Sequence, residues 1–135
     1  MKEYFLDTNI FLRILTSDDP EKSLACQNLI RRGINKELRL HTSVIVIAEI
    51  VWTLESFYGC SPGELREKVE MILNTPNLKI ENQDLIAEAI ALYEDKNIDF
   101  IDCYNAVYAR EKGMDVIYSY DEDFNKIPWI AGTEP

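Results

Sequence analysis

The chain opens Met1-Lys2-Glu3-Tyr4-Phe5-Leu6-Asp7-Thr8-Asn9, a short apolar run that stops in Asp-Thr-Asn before a second apolar run begins at Ile10. Such a run reads as a β-strand that empties into an acidic loop, which puts Asp7 at the strand's carboxyl end. Short apolar runs and longer amphipathic segments then alternate along the rest of the sequence. Strands alternating with helices mean parallel strands joined by right-handed crossovers. The expected fold is α/β, a three-layer α/β/α sandwich around a central parallel sheet of about four or five short strands. It is expected to form a single domain over residues 1–135. In open sheets of this kind, ligands bind at the carboxyl ends of the strands. Further acids at Glu49, Asp102 and Asp121 lie in or just after apolar segments. Acids converging on one sheet edge are what a divalent metal site needs.

The local signals place the elements. Tyr4 to Leu6, Leu38 to His41, Leu78 to Ile80 and Met114 to Ser119 read as strands. Asp19 caps a helix with Pro20 at its first position, and Gly33 is expected to end it. Val44 to Leu54 is rich in β-branched residues, which favour strands. Its length argues for a buried helix instead, capped by Ser43. Ser61-Pro62-Gly63-Glu64 is a capping box. Asn82 is expected to cap the next helix, and Asp99 the one over Ile101 to Lys112, which Gly113 would end.

Composition limits the function. Hydrophobic residues make up 47% of 135, enough for a core and too many for disorder. No apolar run approaches the roughly 20 residues that span a bilayer, and no secretory signal is present. Cys26, Cys60 and Cys103 are odd in number and in no metal-ligand spacing, which reads as free thiols in a reducing cytoplasm. Fourteen basic against 24 acidic residues give a net charge of −10. That argues against charge-driven binding of duplex DNA over a wide face and favours a basic protein partner.

Each acid has an ordinary reading beside the chemical one. Asp7 either caps the next turn or ligates a metal. Glu49 lies among Ile, Val and Trp, where an unpaired buried carboxylate costs several kcal/mol. Either a wet stripe runs through Glu49, Thr53 and Ser56, or a cation holds the carboxylate. Asp99 is expected to cap the following helix, with a supporting place beside the site acids as the other reading. Asp102 falls in the first helical turn, where it either complements the dipole or ligates. Asn105 is one turn on and can assist. Asp121 is nearer its strand end than Asp123 and is preferred as a ligand. Carboxylates are hard donors suited to Mg²⁺ or Mn²⁺, as one or two ions. The single histidine, His41, ends a strand and reads as structural.

The stretches Phe5-Leu6-Asp7-Thr8-Asn9, Thr42-Ser43 leading to Ala48-Glu49, Asp99-Phe100-Ile101-Asp102 and Ser119-Tyr120-Asp121-Glu122-Asp123-Phe124, in this order, resemble the PIN-domain ribonucleases, particularly VapC-type toxins of toxin–antitoxin pairs. The resemblance implies a metal-dependent endoribonuclease that leaves a 5′-phosphate and a 3′-hydroxyl. Asp7, Glu49, Asp102 and Asp121 would be the catalytic and metal-site acids, with Asp123 close by and Thr8, Asn9 and Ser43 in support. It also implies a homodimer and an antitoxin protein that inhibits by occupying the acidic pocket. Tyr120 departs from the family, which often has a small polar residue there.

RNA binding needs cations near the acids. Arg13 follows Asp7, Lys126 follows the last acidic loop, and Arg31, Arg32, Lys36 and Arg39 cluster before the second strand. Two rival readings remain. One is a PIN-like scaffold that binds a partner without catalysis. The other is an Asp-based phosphotransfer domain, which would want a Lys after the last strand, where Tyr118-Ser119-Tyr120 stands, or a second Asp at position 9, which is Asn.

Overall fold

The computed structural model describes residues 2–135. The chain divides into two compact units, Met1–Gln83 and Asp84–Pro135.

The first unit runs β1 (Glu3–Phe5), α1 (Thr8–Leu15), α2 (Pro20–Ile34), β2 (Arg39–Thr42), α3 (Val44–Tyr58), α4 (Pro62–Leu73) and β3 (Leu78–Ile80). Its strands form one parallel sheet in the order β1-β2-β3, with Tyr4 opposite Leu40 and Leu40 opposite Leu78. Alternation decides the faces: Leu40, Thr42, Leu78 and Ile80 are buried, while Arg39 and Lys79 are exposed.

The expected caps are present. Asp19 accepts from the Lys22 amide at 3.0 Å ahead of Pro20, and Ser61 with Glu64 completes a reciprocal capping box. Val44–Tyr58 is a helix despite its β-branched residues, begun by Ser43 and ended by Gly59 in the left-handed region (φ 63°). Burial of Val46, Ile47, Ile50, Val51 and Leu54 overrides the strand propensity.

Gly33 does not end α2, which runs on to Ile34. Its role is close approach: a Cβ there would lie 2.4 Å from Leu40 Cδ1 and 2.9 Å from Cγ. Leu40 is 1% exposed and has no room to swing away. Gly33→Ala is therefore expected to destabilise the fold by about 1–3 kcal/mol, the usual cost of overpacking. Urea titration with an unchanged m-value checks this.

The second unit runs α5 (Gln83–Lys96, its first residue at the boundary), α6 (Phe100–Glu111), β4 (Val116–Tyr118), a 3₁₀ turn (Glu122–Lys126) and β5 (Ala131–Thr133). Strands β4 and β5 pair in parallel, Val116 opposite Ala131. Ile86, Ala89 and Ile90 from α5, and Phe100, Cys103, Ala106 and Val107 from α6, are buried. Asn82 does not stand as a usual extended N-cap to α5; it adopts a left-handed conformation (φ 56°). Among the described residues there are five short strands, paired in parallel and alternating with helices, and their hydrogen bonds group them as three and two.

Candidate metal centre

In the first unit, two helices start from the carboxyl edge of the sheet. The Leu6 amide donates to the His41 carbonyl at 2.8 Å, and the buried Thr42 hydroxyl donates to the Leu6 carbonyl at 3.0 Å. These bonds carry the β1–β2 pairing past its last ladder pair and hold Asp7 and Ser43 at adjoining strand exits. Both are extended N-caps, Asp7 of α1 and Ser43 of α3. Asp7 is exposed, and its Oδ1 accepts from the Thr8 amide at 2.8 Å, which uses one of the two carboxylate oxygens. Asp7 therefore both caps and remains able to ligate. Thr8 is 6% exposed, and its hydroxyl oxygen has no hydrogen-bond partner. An orphaned buried hydroxyl costs about 1–3 kcal/mol.

Glu49 follows the first of its two alternatives, the wet stripe. It is exposed, as is Ser56, with Thr53 half-buried between them, so no cation is needed to hold the carboxylate. Asn9 is exposed beside Asp7, and Arg13 lies half-buried in the last turn of α1. Arg39 begins β2 and Thr42 ends it, so Arg39 sits at the amino edge of the sheet, away from Asp7. His41 bonds to Glu3 at 2.7 Å, a structural role as expected, and this bond is the main cause of the lowered Glu3 pKa.

In the second unit the acids meet. Asp99 occupies the N-cap of α6 but makes no side-chain cap bond. Asp102, in the first turn, is half-buried. Burial first, then the charges of Asp121 and Asp99 and a hydrogen bond to the Asp121 side chain, push its pKa up to about 6. The Asp121 amide donates to Ser119 Oγ at 2.9 Å, and Asp121 Oδ1 accepts from the Asp123 amide at 2.9 Å. These bonds fix the carboxylate. Asp123 is paired with Lys126 Nζ at 2.8 Å. Asn105 is exposed on α6. Cys103 is not a candidate ligand: its thiol faces the Ile98 carbonyl at 3.5 Å, and burial pushes its pKa to about 12. Ser119 was not singled out by the sequence as a support for Asp121. Its place just before the acid was the available signal.

The Asp102 carboxyl with the charges of Asp121, Asp99 and Asp123 around it offers an all-oxygen donor set. Among the described residues, no three His, Cys, Asp or Glu side chains stand grouped to hold an ion. Mg²⁺ needs fewer protein ligands than that, because it commonly uses one or two carboxylates and keeps several waters. The Asp102–Asp121 pair fits such an ion, and a dication there would offset both the burial and the neighbouring negative charges that raise the Asp102 pKa.

The sequence matches the PIN domain family over residues 4–130. It is 31% identical over 122 residues to a VapC ribonuclease of Aquifex aeolicus, covering 90% of each chain. Among solved structures it is similar to a toxin–antitoxin complex from Klebsiella pneumoniae (19% identity, TM-score 0.35, 96% of each chain). A second is a VapC toxin of Mycobacterium tuberculosis described as cleaving the sarcin–ricin loop (18% identity, TM-score 0.40, covering 97% of this chain and 98% of the other).

Proposed function

The chain belongs to the PIN-domain family, and from that premise we propose that it is a Mg²⁺- or Mn²⁺-dependent endoribonuclease, the toxin of a toxin–antitoxin pair. The observation that carries the reading is the Asp102–Asp121 pair, flanked by Asp99 and Asp123, at the start of α6. Asp102 and Asp121 would hold the ion, which would supply Lewis acidity towards a phosphodiester oxygen and towards an attacking water. Asp99, with no cap bond to satisfy, would be free to accept a hydrogen bond from a water or hydroxyl beside the pair. Roles for Asp7 and Glu49 in the same reaction, with Thr8, Asn9 and Ser43 in support, rest on the family resemblance. Asp123 is the second choice as a ligand because Lys126 already engages it. Arg13 and Lys126 supply positive charge for the RNA backbone.

The partners follow the same premise. Exposed Ile45, Trp52 and Phe57 on α3 offer an apolar face for a second copy or for an antitoxin helix. Among the described residues, no helix is long and apolar enough to cross a membrane. The protein acts in the cytoplasm, on RNA.

The test is cleavage of a labelled single-stranded RNA with Mn²⁺ and with EDTA. Wild type is expected to cut only with metal and to leave a 5′-phosphate. Asp7→Asn is expected to keep the fold and lose the activity. Metal-independent cleavage, or none under any metal, contradicts the reading.

A further inference from the structure

The amino edge of the first unit's sheet carries a basic recess with no part in the chemistry above. It has a volume of about 210 Å³ and is lined by Lys36, Leu38, Arg39, Asn77 and Lys79. Three of its five lining residues are cations and none is an acid, in a chain of net charge −10. The cations come from distant segments. Lys36 is in the turn before β2, Arg39 begins β2, and Lys79 lies in β3. The strand register puts Arg39 and Lys79 on one exposed face of the sheet, with Lys79 opposite His41, the next residue on the face of Arg39. The side-chain amide of Asn77 donates to the Ile34 carbonyl at 2.8 Å, pinning the turn before β3 to the end of α2. Two loops that carry the recess are thereby fixed to each other.

The charges are not consumed locally. Among the described residues, Lys36, Arg39 and Lys79 take part in no salt bridge. The acid that feels Arg39 and Lys79 is Glu3, which is already bonded to His41 at 2.7 Å. Three like charges around a concavity repel one another and raise the local anion concentration. Such an arrangement is stable as an anion site, and the anion that suits Lys and Arg together is a phosphate.

We propose that the recess formed by Lys36, Arg39 and Lys79 binds a phosphate group of the RNA backbone, at the edge of the first unit's sheet opposite Asp7. The choice of RNA as the source rests on the ribonuclease reading; the phosphate chemistry does not. β2 runs from Arg39 to Thr42, so at about 3.3 Å per residue the recess is roughly 10 Å from the Asp7 edge. One bound strand can span that distance. The contact adds affinity for long RNA without touching the reacting atoms.

The test is fluorescence anisotropy of a 20-nucleotide single-stranded RNA with the full chain in EDTA, so that binding is read without cleavage. Replacing Lys36, Arg39 and Lys79 together by Gln is expected to weaken binding at least tenfold. It should also flatten the plot of log affinity against log salt by about 0.7, the value for one lost phosphate contact on a single strand. A control removing the same charge elsewhere, Lys22→Gln with Lys68→Gln and Lys112→Gln, is expected to change the slope far less. Equal losses in both variants, or none in the first, overturn the site. A thermal shift with pyrophosphate distinguishes the source. Stabilisation that the first variant loses, alongside unchanged RNA affinity, overturns RNA as the occupant. Failure of wild type to cut RNA with Mn²⁺ is a separate result that removes the ribonuclease reading and leaves the binding data standing.

Discussion

Asp102→Asn is expected to make the protein inactive and, without metal, more stable. The loss of activity follows from removing the carboxylate proposed to hold the ion. Metal polarisation supplies several kcal/mol of transition-state stabilisation, so cleavage should fall by about 10³-fold. The gain in stability follows from the sign of the pKa shift. Asp102 has a folded pKa near 6 against 3.8 for the free side chain. Between those values the native state holds a proton that the unfolded state has released, so stability falls as pH rises through this window. Above pH 6 the full cost is present. With the side chain half-buried and screened by solvent, it is about 1 kcal/mol. Asn carries no charge, and the variant should melt about 3 °C above wild type at pH 7.5 in EDTA. The gap should narrow as pH falls through this window and close by about pH 3, below both values, where Asp102 is protonated in both states. Scanning calorimetry across pH checks this; a variant that melts lower at pH 7.5 shows the acids are not in mutual repulsion.

Millimolar Mn²⁺ is expected to produce the opposite ordering. A ligand that binds only the native state stabilises it by mass action, and an ion at about 100 times its Kd contributes about 2.7 kcal/mol. For a chain of 135 residues this corresponds to roughly a 9 °C rise in melting temperature. The rise should shrink at pH 5.5, where Asp102 is largely protonated and metal and proton compete. Asp102→Asn with Asp121→Asn should abolish most of it. An equal rise in this double variant would mean that the stabilising ions bind elsewhere.

Much of this was legible in the sequence because it is local. Asp19 before Pro20, the Ser61–Glu64 capping box and Ser43 before the long apolar helix are read from neighbours a few residues apart, and each appears in the structure. Asp99 was placed at its helix start, but only the structure shows a cap whose carboxylate is left free. Apolar neighbours leave Glu49 open in the sequence between a wet stripe and a cation-held carboxylate, and only the packing of α3 decides for the stripe, with Ile45 and Trp52 themselves exposed at 69% and 61%. Gly33 looked like a helix stop because its contact with Leu40 depends on how α2 packs on β2. The charge that Asp121 exerts on Asp102 acts between a loop and a helix well separated in sequence, and no spacing rule announces it. Lys79 was overlooked beside Lys36 and Arg39 because only the β2–β3 register brings it to them.

The central claim is that Asp102 and Asp121 hold a divalent ion. Anomalous diffraction from crystals grown with Mn²⁺ tests it most directly. The account predicts a manganese peak about 2.1 Å from a carboxylate oxygen of each residue, with waters completing the shell. A peak that touches neither carboxylate, in a preparation that still cuts RNA, would contradict it.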